Sequence, residues 1–194
     1  MSVRKIYVWP DPALTEVARP VVTFDADVKA LVTDMFDTMY KARGIGLAAT
    51  QIAVAQRVIV IDLDPRGEAK NDPDIKEELE GWGFPGPLAV VNPEIVSAAG
   101  DITWNEGCLS VPGITDQVKR REHVVVRAFD RDGVPFQLDA HGLFAVCLQH
   151  EIDHLNGKMF VDYLSRLKRD VIKRKMVRLK EEQTDDGVEA ALNL

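Results

Sequence analysis

The ten residues from Leu148 to Gly157, LQHEIDHLNG, constrain this chain more than any other stretch. They contain His150-Glu151-Ile152-Asp153-His154, an H-E-x-x-H pattern, and then Asn156-Gly157, a pair suited to stopping a helix. Reading backwards, Leu143, Val146, Cys147 and His150 recur at the spacing of one helical face. No proline interrupts the run, and Asp139 is expected to cap its start. Residues four apart on a helix are rotated by only roughly 40°. His150 and His154 can therefore hold one metal ion between them, with Glu151 beside it. The alternative is a pair of polar histidines on an ordinary amphipathic helix.

One helix seldom offers a third ligand at the right angle, so another segment is expected to supply it. The candidates are Cys108, Cys147, His123, His141 and nearby acids. Cys147 is three residues before His150 on the same broad face, but it also suits a buried apolar position. Cys108 sits in Glu106-Gly107-Cys108-Leu109-Ser110, expected as a loop in which thiolate and backbone both face a ligand. One Cys, two His and an open water position describe a catalytic metal site.

The rest of the chain bounds the setting. Its 194 residues suffice for one domain with a real core, and 46% hydrophobic against 28% charged residues is ordinary for a globular protein. A net charge of −7 argues against nucleic acid or anionic membrane as the partner of the whole surface, and no specific DNA binding is expected. Two cysteines are too few for a disulfide scaffold. The start, MSVRKIYVWP, has no apolar signal core and no run approaches a membrane span, so a cytoplasmic location is expected.

In chain order, a proline-punctuated arm precedes Val28, Leu31, Val32, Met35, Phe36 and Met39, a helical stripe that Asp25 or Asp27 caps and Gly44 ends. GIGLAATQ at 44–51 follows. Its glycines leave the backbone bare for a ligand, and Gln51 adds an amide donor; taken alone, it reads as a turn with Gln51 exposed. Arg57–Leu63 is a strand, Pro65–Pro87 a long loop with one helical turn at Ile75–Glu80, and Leu88–Val91 and Ile95–Ala98 are short strands around Asn92-Pro93. Val124–Phe129 and Val134–Leu138 flank Asp130-Arg131-Asp132-Gly133, a hairpin signal. The fold class is α+β: mostly antiparallel strands around a central metal-binding helix, an N-terminal amphipathic helix and a basic C-terminal helix. Residues 1–165 form one catalytic domain, 166–182 the basic helix and 183–194 an acidic tail expected to be disordered.

With these motifs in hand, the chain resembles the peptide deformylases. GIGLAATQ at 44–51, EGCLS at 106–110 and QHEIDH at 149–154 stand in the family's order, and the likeness spans about nine-tenths of the sequence. The clearest departure is Pro65–Pro87, longer than usual for bacterial members. The resemblance implies that Cys108, His150 and His154 are metal ligands and Glu151 the general acid/base. It implies Gln51 and the Leu109 N–H as oxyanion donors, and Gly46 and Gly107 as backbone partners of an extended substrate. Ile45, Leu143, Val146 and Cys147 would line the pocket for a methionine side chain. It implies hydrolysis of the formyl group from the N-terminal methionine of nascent polypeptides, with Fe²⁺ as the ion; Zn²⁺, Ni²⁺ or Co²⁺ could occupy the same ligands.

Two rival readings use the same helix: a zinc endopeptidase with a downstream ligand near Asp162, and a non-catalytic module stabilised by a closed metal site. The C-terminal helix poses a separate question. Between Arg166 and Lys180 eight basic residues face one acid, Asp170, in a chain of net −7. Either Leu167, Val171 and Met176 dock it on the body with the cations in water, or the basic face meets an RNA-rich partner, the ribosome being the natural candidate.

Overall fold

The computed structural model describes residues 2–183; the tail at 184–194 lies outside them. The strand following the glycine motif explains the architecture. Val58, Ile59, Val60 and Ile61 form β2 (Val58–Ile61), and all four are buried. Successive side chains of a strand point to opposite faces. Val58 and Val60 enter one apolar cluster with Val28, Leu31, Val32, Met35 and Met39 of helix α1 (Ala26–Lys41). Ile59 and Ile61 enter another with Phe144, Ala145, Cys147, Leu148, Ile152 and Leu155 of helix α3 (Gly142–Leu155). The sheet is covered on both faces, which is why β2 reads as a continuous apolar run.

That sheet has five strands. β1 (Gly46–Ala48), β2, β3 (Leu88–Ala99), β6 (His123–Phe129) and β7 (Pro135–His141) lie side by side in the order β1-β2-β3-β6-β7, every pair antiparallel. A separate hairpin is formed by β4 (Ile102–Cys108) and β5 (Val111–Arg120). The architecture is α+β with antiparallel pairing, as expected. α3 is central, buried nearly all round, with only Leu143 and Asp153 partly exposed among residues 142–155. A helix this enclosed has to be apolar or internally satisfied on every side.

Several expected elements differ. Cys108 does not sit in a loop: it ends β4, and only Leu109 and Ser110 separate it from β5, a strand the sequence did not announce. The strands around Asn92-Pro93 are one strand, β3, with irregular register between Val91 and Glu94. Asn92 takes a positive φ of 52° there, and its carboxamide bonds both the N–H and the carbonyl of Val21. Within Pro65–Pro87 the single turn is a nine-residue helix, α2 (Pro73–Gly81). Asp72 caps it through the N–H groups of Asp74 and Ile75, with proline at the first helical position.

Asp25 caps α1 as expected, but α1 ends at Lys41 and the left-handed residue after it is Arg43, not Gly44. Asp139 does not cap α3. It belongs to β7, which runs directly into the helix, and His141 occupies the cap position without a side-chain bond. At the other end, Gly157 does stop α3, at φ 71°. A Cβ there would stand 2.5 Å from the carbonyl oxygen of Thr15, so the proline-rich arm closes over the helix end only because the residue is glycine.

The basic helix is α4 (Arg166–Gln183). It docks by Ile172 and Met176, which join Trp9, Leu14, Val111, Val118 and Phe160 in a third cluster. Leu167 and Val171, expected in that role, are 74% and 51% exposed. Met176 docks as expected, and Ile172, one turn before it, takes the place of Leu167 and Val171. No helix among the described residues is long and apolar enough to cross a membrane.

Candidate active site

α3 turns one face to the five-stranded sheet and the other to the β4–β5 hairpin. On the hairpin side, Nε2 of His154 lies 3.2 Å from Nε2 of His150 and 3.2 Å from Sγ of Cys108. All three donor atoms lie within 4.8 Å of one another. Of the candidates for a third donor, only Cys108 reaches the two histidines. Cys147 is buried in the sheet-side core, where burial and then the nearby Glu151 and Glu106 carboxylates push its thiol well above the usual value. His123 and His141 belong to β6 and β7, away from this centre. Asp162 is exposed, accepting from the N–H of Met159 and from Arg169.

Glu106 orients His150. Its Oε2 accepts from Nδ1 of His150 at 2.7 Å. Its carboxylate is gripped bidentately by Arg120, with Nε at 2.6 Å from Oε1 and Nη2 at 3.0 Å from Oε2. Burial opposes ionisation of Glu106, but the bonds from His150 and Arg120 outweigh it and hold its carboxyl below the usual range. Arg120 also bonds Asp153, which accepts from the Tyr163 hydroxyl. An ionised Glu106 can only accept, so Nδ1 of His150 carries a proton and Nε2 is left for the centre.

Glu151 is buried, and its Oε2 has no partner among the described residues. Burial pushes its carboxyl up to about 7, over the opposing pull of His150 and with Glu106 adding repulsion. Its Oε1 packs against the backbone of β1: a Cβ on Gly46 would stand 2.5 Å away. Gln51 is 1% exposed rather than the exposed turn residue its local sequence suggests. Its Oε1 accepts from the Ala48 N–H at 2.8 Å, which turns the NH₂ towards Cys108 Sγ, 3.5 Å away, and Ser110 Oγ, 3.1 Å away. Leu109 follows Cys108 in the same turn and packs against the glycine motif, where a Cβ on Gly44 would meet its Cδ1 at 2.7 Å.

Around this centre Ile45, Val146 and Cys147 are wholly or partly buried, with Leu143 half-buried at the start of α3. Gly46 lies in β1, an outer strand of its sheet, and Gly107 in β4, whose one strand partner is β5 among the described residues. Each strand leaves an edge on which an extended peptide can pair. Glu106, Arg120, Asp153 and Ser110 were not singled out from sequence. Glu106 lies inside EGCLS, but nothing local says that its carboxylate reaches a histidine 44 positions on.

The donor set fits a divalent metal. Donors sharing one tetrahedral ion at ordinary bond lengths stand roughly 3.3–3.6 Å apart, close to the separations here. Burial and then the neighbouring His150 hold His154 well below its usual pKa, so it is neutral, and its Nδ1 has no partner among the described residues. His150 is instead driven upward: bonds to Cys108 and Glu106 overcome its burial. A half-exposed thiol and two buried imidazoles this close together form a donor set that a dication fits.

Comparison with known proteins places the chain in a family. The family model described as polypeptide deformylase matches residues 3–170. A peptide deformylase of Alkalilimnicola ehrlichii is 50% identical over 179 residues, 92% of each chain. One of Azotobacter vinelandii is 48% identical over 177 residues, 91% of this chain and 95% of the relative. Among solved structures, a peptide deformylase from Legionella pneumophila superimposes with a TM-score of 0.81 at 48% identity, covering 94% of this chain and 98% of that one. The enzyme of Ehrlichia chaffeensis in complex with actinonin gives 0.82 at 40% identity, covering 93% and 99%. On these matches, carried by the same chain that brings Cys108, His150 and His154 together, the protein belongs to the polypeptide deformylase family.

Proposed function

We propose that Cys108, His150 and His154 hold one divalent ion, and that Glu151 moves the protons of amide hydrolysis beside it. The protein is a metal-dependent hydrolase that removes the formyl group from the N-terminal formyl-methionine of new polypeptides, releasing formate. The observation that carries the residue roles is the convergence of one thiol and two imidazoles within 4.8 Å next to a buried, unpartnered carboxylate oxygen. When bound, the ion supplies Lewis acidity for the attacking water and the formyl oxygen. We take it to be Fe²⁺, whose ligand preferences admit both thiolate and imidazole.

The chain's own groups do the rest. Glu151, poised near neutrality by burial, takes a proton from the attacking water and returns it to the departing amine. The Gln51 NH₂, aimed by the Ala48 bond, and the Leu109 N–H donate to the oxygen on which charge develops. Gly46 and Gly107 offer strand edges to the peptide backbone, and Ile45, Leu143, Val146 and Cys147 form the apolar slot for the methionine side chain. The protein works in the cytoplasm, and the basic face of α4 meets the ribosome from which its substrates emerge.

An endopeptidase is the less supported reading, because Asp162 is engaged with Arg169 and does not join the histidines. A closed structural site is disfavoured by Glu151, which such a site does not need. Formate release from a formyl-Met peptide, set beside cleavage of the same peptide unformylated, decides among the three. Internal cleavage without formate would establish the peptidase, and neither product would leave a binding module.

A further inference from the structure

We infer that His123, Asp139 and His141 form a second divalent-metal site, suited to a borderline ion such as Zn²⁺, where β7 runs into α3. His123 and His141 are directly opposed in the β6–β7 pairing. Their rings stack with centroids 4.2 Å apart and 1° between planes. Asp139 precedes His141 by two residues and so projects from the same face of the strand. One carboxylate oxygen gathers both rings: Oδ1 of Asp139 lies 2.6 Å from Nε2 of His123 and 3.3 Å from Nε2 of His141. The three donor atoms lie within 4.8 Å of one another, like those of the catalytic centre.

The surroundings suit a cation. Oε1 of Glu122 stands 3.7 Å from Nδ1 of His141, the ring nitrogen remote from Asp139. At that distance Glu122 is an ion-pair neighbour and not a hydrogen-bond partner, and it adds negative charge beside the ring. The carboxylates of Asp139 and Glu122 bring negative charge that a dication would offset. The side chains are 27%, 66% and 41% exposed for His123, Asp139 and His141, so an ion can enter and water can complete its shell. Because an imidazole lone pair lies in its ring plane, both rings must turn out of the parallel stack to share one ion, while the ladder holds their backbones. The main chain is anchored on its far side too, since the His141 N–H donates to the carbonyl of Trp82 at 3.0 Å. A cross-strand pair on a rigid ladder fixes the backbones of a three-ligand site and leaves only side-chain torsions to adjust.

The test uses the full chain with its catalytic centre loaded with Ni²⁺, titrated with ZnCl₂ by calorimetry. Nickel content is measured before and after, so that exchange at Cys108 is not counted. Wild type should take up one further zinc per chain in the micromolar range. His123→Ala and His141→Ala should lose that uptake, and Glu122→Gln should keep it with weaker affinity, since one nearby negative charge is removed. Turnover of a formyl-Met peptide by His123→Ala should match wild type, which establishes that the variant is folded. Zinc should raise the unfolding midpoint of wild type and not that of His123→Ala. No further zinc in wild type, or equal uptake by wild type and both histidine variants, would overturn the site and reduce the cluster to an imidazole–carboxylate hydrogen bond.

Discussion

Oε2 of Glu106 lies 2.7 Å from Nδ1 of His150, joining the β4–β5 hairpin to the central helix across 44 positions of sequence. That contact sets which nitrogen His150 offers to the centre. Glu106→Gln should therefore weaken metal retention about 10–100-fold in competition with a chelator. It also leaves the buried Arg120 with Asp153 as its remaining acidic partner, so stability should fall by about 3 kcal/mol in chemical unfolding. Unchanged retention would mean that the histidine is oriented by packing alone.

Glu151→Gln should keep both the ion and the fold, since the amide is nearly the same size. Turnover should drop by about 10²–10⁴, the usual contribution of a positioned acid/base. Metal content and formate release measured on the same sample separate the two effects. Near-normal turnover in a metal-loaded variant would remove Glu151 from its proposed role.

The two cysteines should part company. Cys108→Ser is expected to lose most of the bound ion, whereas Cys147→Ala should retain it and chiefly raise KM for Met-first peptides. Chelation should lower the unfolding midpoint of wild type and scarcely move that of Cys108→Ser, because a bound ion stabilises only a chain able to hold it. An empty centre in Cys147→Ala would reverse the ligand assignment.

Gly46→Ala places a methyl group 2.5 Å from Oε1 of Glu151. The carboxylate must then swing away from β1. Misplacing a catalytic group by an ångström costs on the order of 10² in rate, and that loss is expected in kcat with the ion still bound. If kcat instead holds steady, the packing of Glu151 against β1 has no part in catalysis.

α4 combines a docking face with a charged one, and the two should respond separately. Met176→Ala removes a fully buried side chain and should cost about 2–5 kcal/mol of stability, while Leu167→Ala should cost little. Lys168, Arg169 and Lys180 already pair with Asp116, Asp162 and Asp11, whereas Lys173, Arg174 and Lys175 are exposed on the same helix. Reversing those three charges should reduce co-sedimentation with ribosomes at low salt and leave turnover of a short formyl-Met peptide unchanged. Undiminished sedimentation would make the face a solvated one.

Periodic and motif-based features were legible in the chain by itself. The stripe from Val28 to Met39, the run at Val58–Ile61, the Asp130–Gly133 turn and the H-E-x-x-H helix are set by local spacing, because burial on one face imposes a period of 3.6 or 2 wherever it occurs. The same spacing placed His150 and His154 one turn apart, whereas Cys108 and Gln51 were named as their companions only through the family resemblance that EGCLS and GIGLAATQ carry.

Tertiary structure decided what depends on a partner distant in sequence. Both cysteines were admissible as the third donor on spacing; the β4–β5 hairpin brings Cys108 to the histidines, while Cys147 turns into the sheet-side core. Gln51 became a buried, oriented donor only because Ala48, Ser110 and Cys108 close around it. The rotation of α4 onto Ile172 and Met176, the continuity of β3 through Asn92 and the grip of Arg120 on Glu106 are likewise non-local. A residue's type limits which bonds it can make, but desolvation makes a buried polar group depend on neighbours that only the folded chain supplies.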